Sequence, residues 1–576
     1  MKDFLISKRN YIIIGFLLLH LFLSTTSVYD NSLNWDERCD AGLGKYLLKT
    51  GNFQIDGAKY HPVFSYYLNS IFLFFMEFPD YIWSLDSCWD IGNNIVFNSG
   101  YDSQQIVFFI RLPFILLSLL LAFYVYKWAK ELYGIKAGLF ALFIYSLSPS
   151  ILAISGRALT DFPVACFIFI SLYYYWKFTK NKTTKNLVLT GIFTGLALIS
   201  KITAIYLFPI YLILAFFNTG KEKLARRAMA FFIIFLIAFL VIFTAYGFRV
   251  QTIASTLQEH YKERAYQEID KQFGSNSIIG DTILFVFEKV PLPASNYISA
   301  VGTMAHYSTS GFRGFLLGKL KEPEQKWWYY FIIVFIVKTP IPTLIFLFLS
   351  AIFFRKIKKE NAIDELLLII PIIFLFVAFM LNRVSYDLRH ILPIYPLIFV
   401  FISKVINLKF KNQKLWNVSF IFLLLWYIAS TISVYPHYTA YFNEFVLPEN
   451  GYKVLSGSNI DAGQELIRLK YFMEKNGIYK INFSFHGGVN PRNYGIEYDS
   501  MPTTCFAPVN ENYEPFAANC KKDFIEDCSK RTGILAISVT NLQNRFLKNT
   551  TCYDWLKNYE PIEKVGYSVF VYNITK

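Results

Sequence analysis

Long apolar runs alternate with short basic clusters along the first three quarters of the chain. The runs are residues 11–23, 106–126, 137–155, 162–176, 186–217, 228–246, 327–354, 366–381, 391–406 and 415–434. Runs of this length are typical of transmembrane helices, and Lys and Arg collect in cytoplasmic loops. The pattern predicts a polytopic membrane protein. Its N-terminus, with Lys2, Lys8 and Arg9, is predicted to be cytoplasmic, and a cleaved signal peptide is the alternative for the first run.

The run 186–217 needs a closer look because basic clusters stand at both of its ends. Both ends are then cytoplasmic, and an even number of crossings separates them. We expect two short helices that meet at Ser200 and Lys201. At 1.5 Å per residue each helix spans about 22 Å, less than the ~30 Å hydrocarbon core. Lys201 is therefore predicted to lie beneath the outer surface, and the total is about eleven transmembrane helices.

Two polar segments and a C-terminal region are too long to be turns. Residues 30–105 and 249–326 are predicted external loops of a transmembrane domain that spans residues 1–434. In the remaining 435–576, an amphipathic helix over 461–475 is closed by an Asn-Gly pair. YKINFSFHGG, GILAISVT and GYSVFVYN have the composition of strands. The fold class is thus an all-α polytopic membrane protein with a small C-terminal α/β extracytoplasmic domain.

Composition and charge agree with this fold. The 576 residues are 54% hydrophobic, with a mean hydropathy of +0.36 and a net charge of +15. A basic protein could bind nucleic acid, but here the Lys and Arg residues fall between apolar runs and form no single patch. We therefore predict a lipid-bilayer partner and no nucleic acid.

The cysteines indicate an oxidising compartment. Six of the seven fall on the predicted outside, namely Cys39, Cys88, Cys505, Cys520, Cys528 and Cys552. An even number there predicts disulfides. Cys39 and Cys88 are expected to pair across the first loop, and the last four allow three pairings. Cys166 lies in an apolar helix and is predicted to be a buried free thiol.

Acidic and basic residues gather at the predicted outer ends of several helices. Asp36 and Glu37 follow the first helix, Asp161 follows Arg157 across a short turn, and Arg389 stands in NRVSYDLRH. Ionisable groups at or below a membrane interface are costly and usually functional. A carboxylate there can accept a proton from an acceptor hydroxyl, and Arg or Lys can hold a phosphate. The pattern suits a donor with a lipid-linked phosphate, and it also allows a transporter.

Several segments occur in the order known from one family. They are WDERCDAGLGKYLLKTGNF, KYHPVFSYYL, RLPFILLSLLLAFYVYKWAKELYG, LSPSILAISGRALTDFPVACF, TGLALISKITAIYLFP, GFLLGKLKEPEQKWWYYFIIVFIVKTPIP, RHILPIYP and YFNEF…SNIDAGQEL. Over residues 30–470 the chain resembles the polyprenyl-phosphate-sugar glycosyltransferases of the GT-C type. These include the dolichyl-phosphate-mannose protein mannosyltransferases and the aminoarabinose transferases. The resemblance implies a GT-C fold.

The resemblance also implies a reaction and its residues. A hexosyl or pentosyl group passes, with inversion, from a polyprenyl phosphate to a protein hydroxyl, glycolipid or cell-envelope glycan on the outer face of the plasma membrane. By position, Asp36 is the base or acceptor-orienting acid, Glu37 its neighbour and Asp161 a second acid. The residues implied to hold the donor phosphate are His61, Lys201, Arg389, Arg111 and Arg157.

The chain departs from the family pattern at some of these positions. His61 stands where aminoarabinose transferases often have Lys, and a neutral His binds phosphate more weakly. Ala462 replaces a frequent Trp, and the loop 249–326 is too short for the β-trefoil of eukaryotic protein mannosyltransferases. Lys338 interrupts an apolar run; it either extends to the outer surface or faces the donor phosphate.

Two other functions and one cofactor stay open. A transporter or flippase would place charges deep within spans and show an internal repeat. A non-catalytic scaffold on the same fold would tolerate loss of Asp36. A divalent metal ion is left open, because paired acids can bind one.

Overall fold

The computed structural model describes residues 8–217, 224–274, 277–310, 313–322, 325–353, 362–381, 387–503 and 527–575. The N-terminal helices are α1 (Arg9–Tyr29), α2 (Trp35–Asp40), α3 (Leu43–Thr50), α4 (Asp56–Tyr60), α5 (Phe64–Asn69), α6 (Cys88–Phe97), α7 (Ser103–Tyr133), α8 (Ile135–Ser146) and α9 (Pro149–Ser155). The middle helices are α10 (Asp161–Asn181), α11 (Thr184–Ser200), α12 (Leu207–Phe217), α13 (Leu224–Ala245), α14 (Glu259–Phe273), α15 (Ile278–Lys289) and α16 (Ser295–Ser310). The last helices are α17 (Tyr330–Lys338), α18 (Ile341–Ile352), α19 (Ala362–Leu381), α20 (Ile394–Ile402), α21 (Gln413–Ile432), α22 (Leu466–Lys475) and α23 (Val539–Leu542).

The chain is an integral membrane protein. Five helices in the described part of the chain are long and apolar enough to cross a membrane, and the number rises to seven if two bent pairs each count as one span. The pairs are α8 with α9, bent by 60°, and α17 with α18, bent by 111°. Three shorter apolar helices, Thr184–Ser200, Ile202–Phe217 and Ile394–Asn407, add to these. Every one of the predicted apolar runs contains a helix or a bent pair.

The predicted break at Lys201 is present. α11 ends at Ser200, Lys201 has an extended backbone, and a 3₁₀ turn over Ile202–Tyr206 leads into α12. α11 packs closely on α13 at two glycines. A Cβ added to Gly191 would lie within 3 Å of Ile237, and one added to Gly195 would lie within 3 Å of Val241. Small residues let membrane helices approach in this way.

The helical bundle carries charged side chains at both ends. α10 begins with Asp161, while near its other end Lys180 Nζ lies 2.7 Å from Asp364 Oδ2. Close by, the buried Lys404 pairs with Glu365 at 2.8 Å. The end of α10 near Lys180 is the one predicted to be cytoplasmic. Asp161 therefore lies at the opposite end of the helix, the predicted outer end.

The strands are β1 (Val250–Gln251), β2 (Leu292–Pro293), β3 (Gly314–Leu316), β4 (Lys319–Lys321), β5 (Lys480–Ser484), β6 (Glu497–Ser500), β7 (Gly533–Ser538), β8 (Glu563–Val565) and β9 (Val569–Ile574). The C-terminal region forms a five-stranded sheet in the order β6-β5-β7-β9-β8. β5 is parallel to β6 and β7, whereas β9 is antiparallel to β7 and β8. The three strands predicted from sequence are β5, β7 and β9. The predicted amphipathic helix is shorter, α22, because residues 461–465 form a loop instead.

The disulfides agree with the predicted compartment. Cys39 pairs with Cys88, as expected, and Cys528 pairs with Cys552. Cys166 is free and buried, which confirms its assignment. Cys505 and Cys520 lie outside the described residues.

Candidate functional site

Four of the predicted residues form one continuous set of ion pairs. Arg389 Nη1 lies 2.8 Å from Asp36 Oδ2 and 3.8 Å from Asp161 Oδ2. Lys201 Nζ lies 2.5 Å from Asp161 Oδ1, and Arg389 Nε lies 3.3 Å from Asp387 Oδ2. We call Asp36, Arg389, Asp161 and Lys201 the charge chain. It brings together residues that are up to 353 positions apart in sequence.

Each member is placed by a helix end or a break. Asp36 is in the first turn of α2, and Asp161 is the first residue of α10. Lys201 directly follows the last residue of α11, and Arg389 lies in a 3₁₀ turn before α20. Charged groups at helix ends meet at one face of a bundle without entering its apolar core, and this explains why the sequence tolerates them.

The members differ in exposure. The Asp36 side chain is 46% exposed, whereas those of Arg389, Lys201 and Asp161 are 18%, 11% and 3% exposed. Asp36 is thus the carboxylate within reach of a molecule from solution. Asp161 is a buried counter-charge that holds Lys201 and Arg389 in place.

Two histidines lie beside the charge chain. Burial first, and then the charge of Lys201, lowers the pKa of His61 to about 4. The same two causes lower the pKa of His390 well below its usual value. Both rings are therefore neutral at physiological pH and offer hydrogen bonds rather than charge. His390 was not among the predicted site residues; its position next to Arg389 in RHILP was the available signal.

Asp40 is a second residue that the sequence analysis missed. It is buried and lies four positions after Asp36 in α2, hence on the same helical face. Burial first, and then the charges of Asp36 and Glu37, raises the pKa of Asp40 well above its usual value.

Glu37 and Arg111 form a buried bidentate pair away from solvent. Arg111 Nε and Nη2 lie 3.1 and 2.6 Å from Glu37 Oε1 and Oε2. The Arg111 guanidinium also donates to the backbone carbonyls of Val28, Asn31 and Ser32. All five donors of the guanidinium are used within the protein. Although burial opposes ionisation, the charge and hydrogen bonds of Arg111 hold the pKa of Glu37 below its usual value.

This geometry changes two of the predicted roles. Glu37 is fully buried and also accepts hydrogen bonds from the backbone of Asn34 and Ala158, at 3.0 and 2.9 Å. Neither Glu37 nor Arg111 has a free group to offer a substrate. Their contacts instead join α2 to the end of α1, to α7 and to the turn before α10.

Lys338 has a different environment from both of the predicted ones. Its Nζ is buried and donates to the carbonyl oxygens of Thr439, Tyr441 and Asn459, at 2.9, 2.6 and 2.6 Å. An ammonium has three donors, so none remains for a phosphate. The side chain is 2% exposed, and none of its three hydrogen bonds goes to a member of the charge chain. It fastens the 111° bend between α17 and α18 to the segment that leads into the C-terminal domain.

Arg157 lies beside the charge chain and is not one of its ion pairs. It is buried, and its Nη2 donates to Thr439 Oγ1 at 2.6 Å. Burial, and then the charge of Arg389, lowers the pKa of Arg157 to about 10. The guanidinium lines a small cavity together with Asn34 and Tyr438.

The side chains of the site do not fit a metal ion. Within the described residues, no three His, Cys, Asp or Glu side chains are arranged to hold one. Asp36 and Asp161 each direct a carboxylate oxygen at a cation of the protein instead. A divalent ion would have to displace Arg389 or Lys201 from these oxygens.

The fold and site thus define a membrane-embedded protein with a cluster of ion-paired side chains at the ends of several helices. Residues 104–246 match the model of a family described as dolichyl-phosphate-mannose-protein mannosyltransferase. Over these residues the match confirms the resemblance to polyprenyl-phosphate-sugar glycosyltransferases of the GT-C type. No curated protein is similar enough to the chain to match it.

The chain is also similar to three solved structures. ArnT from Cupriavidus metallidurans, bound to undecaprenyl phosphate, is 11% identical over 97% of both chains, with a TM-score of 0.48. The archaeal oligosaccharyltransferase AglB from Archaeoglobus fulgidus, bound to an inhibitory peptide and a dolichol-phosphate, is 14% identical over 75% of this chain and 55% of AglB, with a TM-score of 0.44. The S. cerevisiae Pmt1–Pmt2 complex, bound to its sugar donor, is 15% identical over 44% and 37%, with a TM-score of 0.34. Identities this low assign no substrate and no residue role.

Proposed function

We propose that the protein transfers a sugar, with inversion, from a polyprenyl-phosphate donor to an acceptor on the extracytoplasmic face of the membrane. The observation that carries the proposal is the charge chain, in which a half-exposed carboxylate lies 2.8 Å from a cation that is itself held by a buried acid. A base for the acceptor and cations for the leaving phosphate are thereby placed side by side. Transfer to a protein hydroxyl, a glycolipid or a cell-envelope glycan would use the same centre.

The reaction can be written on these residues. The acceptor oxygen attacks the anomeric carbon, and the bond between this carbon and the phosphate oxygen breaks on the opposite side. Asp36 takes the proton of the acceptor hydroxyl, and the electron pair of the broken bond leaves with the polyprenyl phosphate. A positioned base contributes about 10²- to 10⁴-fold to such a step. Lys201 and Arg389 stabilise the charge that develops on the leaving phosphate.

Counting donors identifies the cations that can bind phosphate. Among the described residues, Lys201 Nζ donates only to Asp161 and keeps two further N–H groups. Arg389 donates to Asp36 through Nη1, and it too keeps N–H groups that can donate to a phosphate. Arg111 and Lys338 keep none. We therefore assign the donor phosphate to Lys201 and Arg389, with Arg157 as a further candidate.

His61 and His390 complete the proposed phosphate site as neutral partners. Burial first, and then the charge of Lys201, lowers the pKa of both rings, so both lie close to the proposed phosphate-binding cations. A neutral imidazole can donate one hydrogen bond to a phosphate oxygen and adds no charge. Glu37 and Arg111 are assigned instead to holding α2, which carries Asp36, and Lys338 is assigned to holding the bend between α17 and α18.

The extracytoplasmic location of the site rests on the disulfides. Cys39 lies in α2, three residues after Asp36, and is bonded to Cys88. Disulfides persist in oxidising compartments and are rare in the cytosol. Asp36 and the C-terminal domain, which holds Cys528–Cys552, are therefore placed outside the plasma membrane in this proposal, with the N-terminus inside.

The experiment supplies labelled polyprenyl-phosphate sugars, one at a time, to membranes that carry the wild-type protein or none. Label is then followed into protein, lipid and polymer fractions. Transfer that depends on the protein supports the proposal and identifies sugar and acceptor together. Absence of transfer from every donor, with the protein folded in the membrane, would contradict it and favour a transporter or a scaffold.

A further inference from the structure

Backbone carbonyl groups of the C-terminal domain accept hydrogen bonds from the segment that carries Asp36. Ser32 donates from its N–H to Gln464 O at 3.0 Å and from its hydroxyl to Gly463 O at 2.8 Å. Trp35 N donates to Ala462 O at 3.2 Å. The loop 461–464 therefore pairs with the chain directly before Asp36.

A second loop of the domain holds the other side of this segment. The His486 ring stacks between Trp35 and Phe546, with centroid distances of 5.6 and 5.8 Å and interplanar angles of 21° and 18°. Arg38 Nη1 donates to Gly488 O at 2.5 Å. Burial lowers the pKa of His486 to about 3, so the ring stacks in its neutral form. Residues on both sides of Asp36 are thus bound to the loop 486–488.

Gly488 allows this close approach. A Cβ at this position would lie 2.9 Å from Trp35 O and 3.2 Å from Trp35 Cα. These are backbone atoms, so they could not move aside without moving α2. The absence of a side chain at Gly488 consequently sets how near α2 lies to the domain.

We propose that the C-terminal domain is a positioning element for the transfer reaction. Its loops 461–464 and 486–488 hold Trp35 and Arg38, and thereby place the Asp36 carboxylate against the acceptor oxygen. Trp35, His486, Phe546 and Gly488 act through Asp36 and do not touch the substrate. This inference rests on the proposed function. It explains why the C-terminal domain packs against α2 although it contributes no residue to the charge chain.

The consequence is a change in kcat without a matching change in KM for the donor. Lys201, which the proposal assigns to the phosphate, donates to Asp161 and forms no hydrogen bond or ion pair with either loop among the described residues, so donor binding through Lys201 is preserved when α2 shifts. The rate falls because general-base catalysis and attack depend steeply on geometry, and a displacement of about 1 Å can cost about 100-fold. Gly488→Ala and His486→Ala are expected to lower kcat by about 10- to 100-fold and to change the donor KM by less than about threefold.

Two further variants make the kinetic test specific. His486→Phe keeps a flat ring between Trp35 and Phe546 and is expected to recover most of the activity that His486→Ala loses. Tyr479→Ala is the matched control, because Tyr479 is an aromatic residue of the same domain that is 91% exposed. It should behave as wild type. Wild-type kcat in Gly488→Ala, or no recovery in His486→Phe, would overturn the inference.

A measurement that needs no activity separates this inference from the proposed function. Hydrogen exchange of the amides in residues 32–40, in nanodiscs, should be faster in Gly488→Ala than in wild type, with exchange in α7 and α10 unchanged. Unchanged exchange in residues 32–40 would overturn the positioning role even if transfer is observed. If the wild type transfers no sugar, the proposed function fails, and the exchange experiment still decides whether the domain restrains α2.

Discussion

The buried pair of Glu37 and Arg111 gives a quantitative prediction, because it separates a residue that supports the site from one that reacts. Glu37→Gln keeps the size of the side chain and removes its charge. Arg111, only 1% exposed, is then left as an uncompensated buried cation. Removing one partner of a buried ion pair typically costs about 3–5 kcal/mol.

The hydrogen bonds of Glu37 point to the upper part of this range. The carboxylate accepts four of them, two from Arg111 and one each from the backbone N–H groups of Asn34 and Ala158. An amide NH₂ in place of one oxygen cannot accept a hydrogen bond, so it faces a donor. A buried donor left without a partner costs about 1–3 kcal/mol, a term that overlaps with the ion-pair loss rather than adding to it. We expect a loss of about 4–5 kcal/mol in the free energy of unfolding.

The assay is unfolding of the purified protein in mixed micelles by SDS, followed by Trp fluorescence at pH 7.5. Glu259→Gln is the matched control, because Glu259 pairs with Lys262 at 2.6 Å but its side chain is 83% exposed. Exposed pairs contribute less than about 1 kcal/mol. The control should therefore unfold at nearly the wild-type SDS fraction, and Glu37→Gln at a clearly lower one.

The pH dependence has a fixed sign. The pKa of Glu37 is below its usual value in the folded protein, so the pair stabilises at neutral pH. This contribution is lost as the pH falls below about 4 and through the folded-state pKa. Stability unchanged in Glu37→Gln, together with a loss of transfer, would refute the reasoning and return Glu37 to the reacting groups.

Three further predictions follow from single contacts. Lys201→Met should raise the donor KM about 10- to 100-fold, because a hydrogen bond from a charged group contributes about 1.5–3 kcal/mol, and an unchanged donor KM would remove Lys201 from the phosphate site. Without reduction, Cys39 and Cys88 should resist alkylation, and free labelling of both cysteines would argue against the bond. The double variant Cys39→Ser, Cys88→Ser should lower the free energy of unfolding by about 4 kcal/mol, since the disulfide closes a 49-residue separation. Burial raises the pKa of Asp461 to about 7, so between about pH 4 and 7 the folded protein binds more protons than the unfolded chain. The protein therefore loses stability as the pH rises through this window. In SDS unfolding, Asp461→Asn should reduce this dependence of stability on pH, and an unchanged pH dependence in the variant would contradict the raised pKa of Asp461.

The sequence was a good guide to elements and to the neighbourhood of the site. Alternating apolar runs and basic clusters placed the helices, because membrane insertion depends on just these local properties. The break at Lys201 was predicted from charges at both ends of a single apolar run. The Cys39–Cys88 bond and the strands β5, β7 and β9 were predicted from local patterns as well.

The sequence could not distinguish cations that are saturated from cations that have donors to spare. Arg111 and Lys201 look alike as isolated charges in or beside apolar runs. The difference arises from carbonyl oxygens that only the folded chain brings near, such as those of Asn31 for Arg111 and Asn459 for Lys338. The buried acid Asp40 was missed for the same reason, because its raised pKa comes first from burial, which only the folded chain produces, and then from the charges of Asp36 and Glu37.

The most direct test of the central claim is a single-turnover measurement on purified protein in nanodiscs. It compares wild type with Asp36→Asn, using the donor and acceptor that the labelling experiment identifies. The account predicts that Asp36→Asn binds the polyprenyl-phosphate donor as wild type does and transfers its sugar at least about 100-fold more slowly. Transfer within about threefold of wild type would contradict the account and leave Asp161 as the next residue to examine.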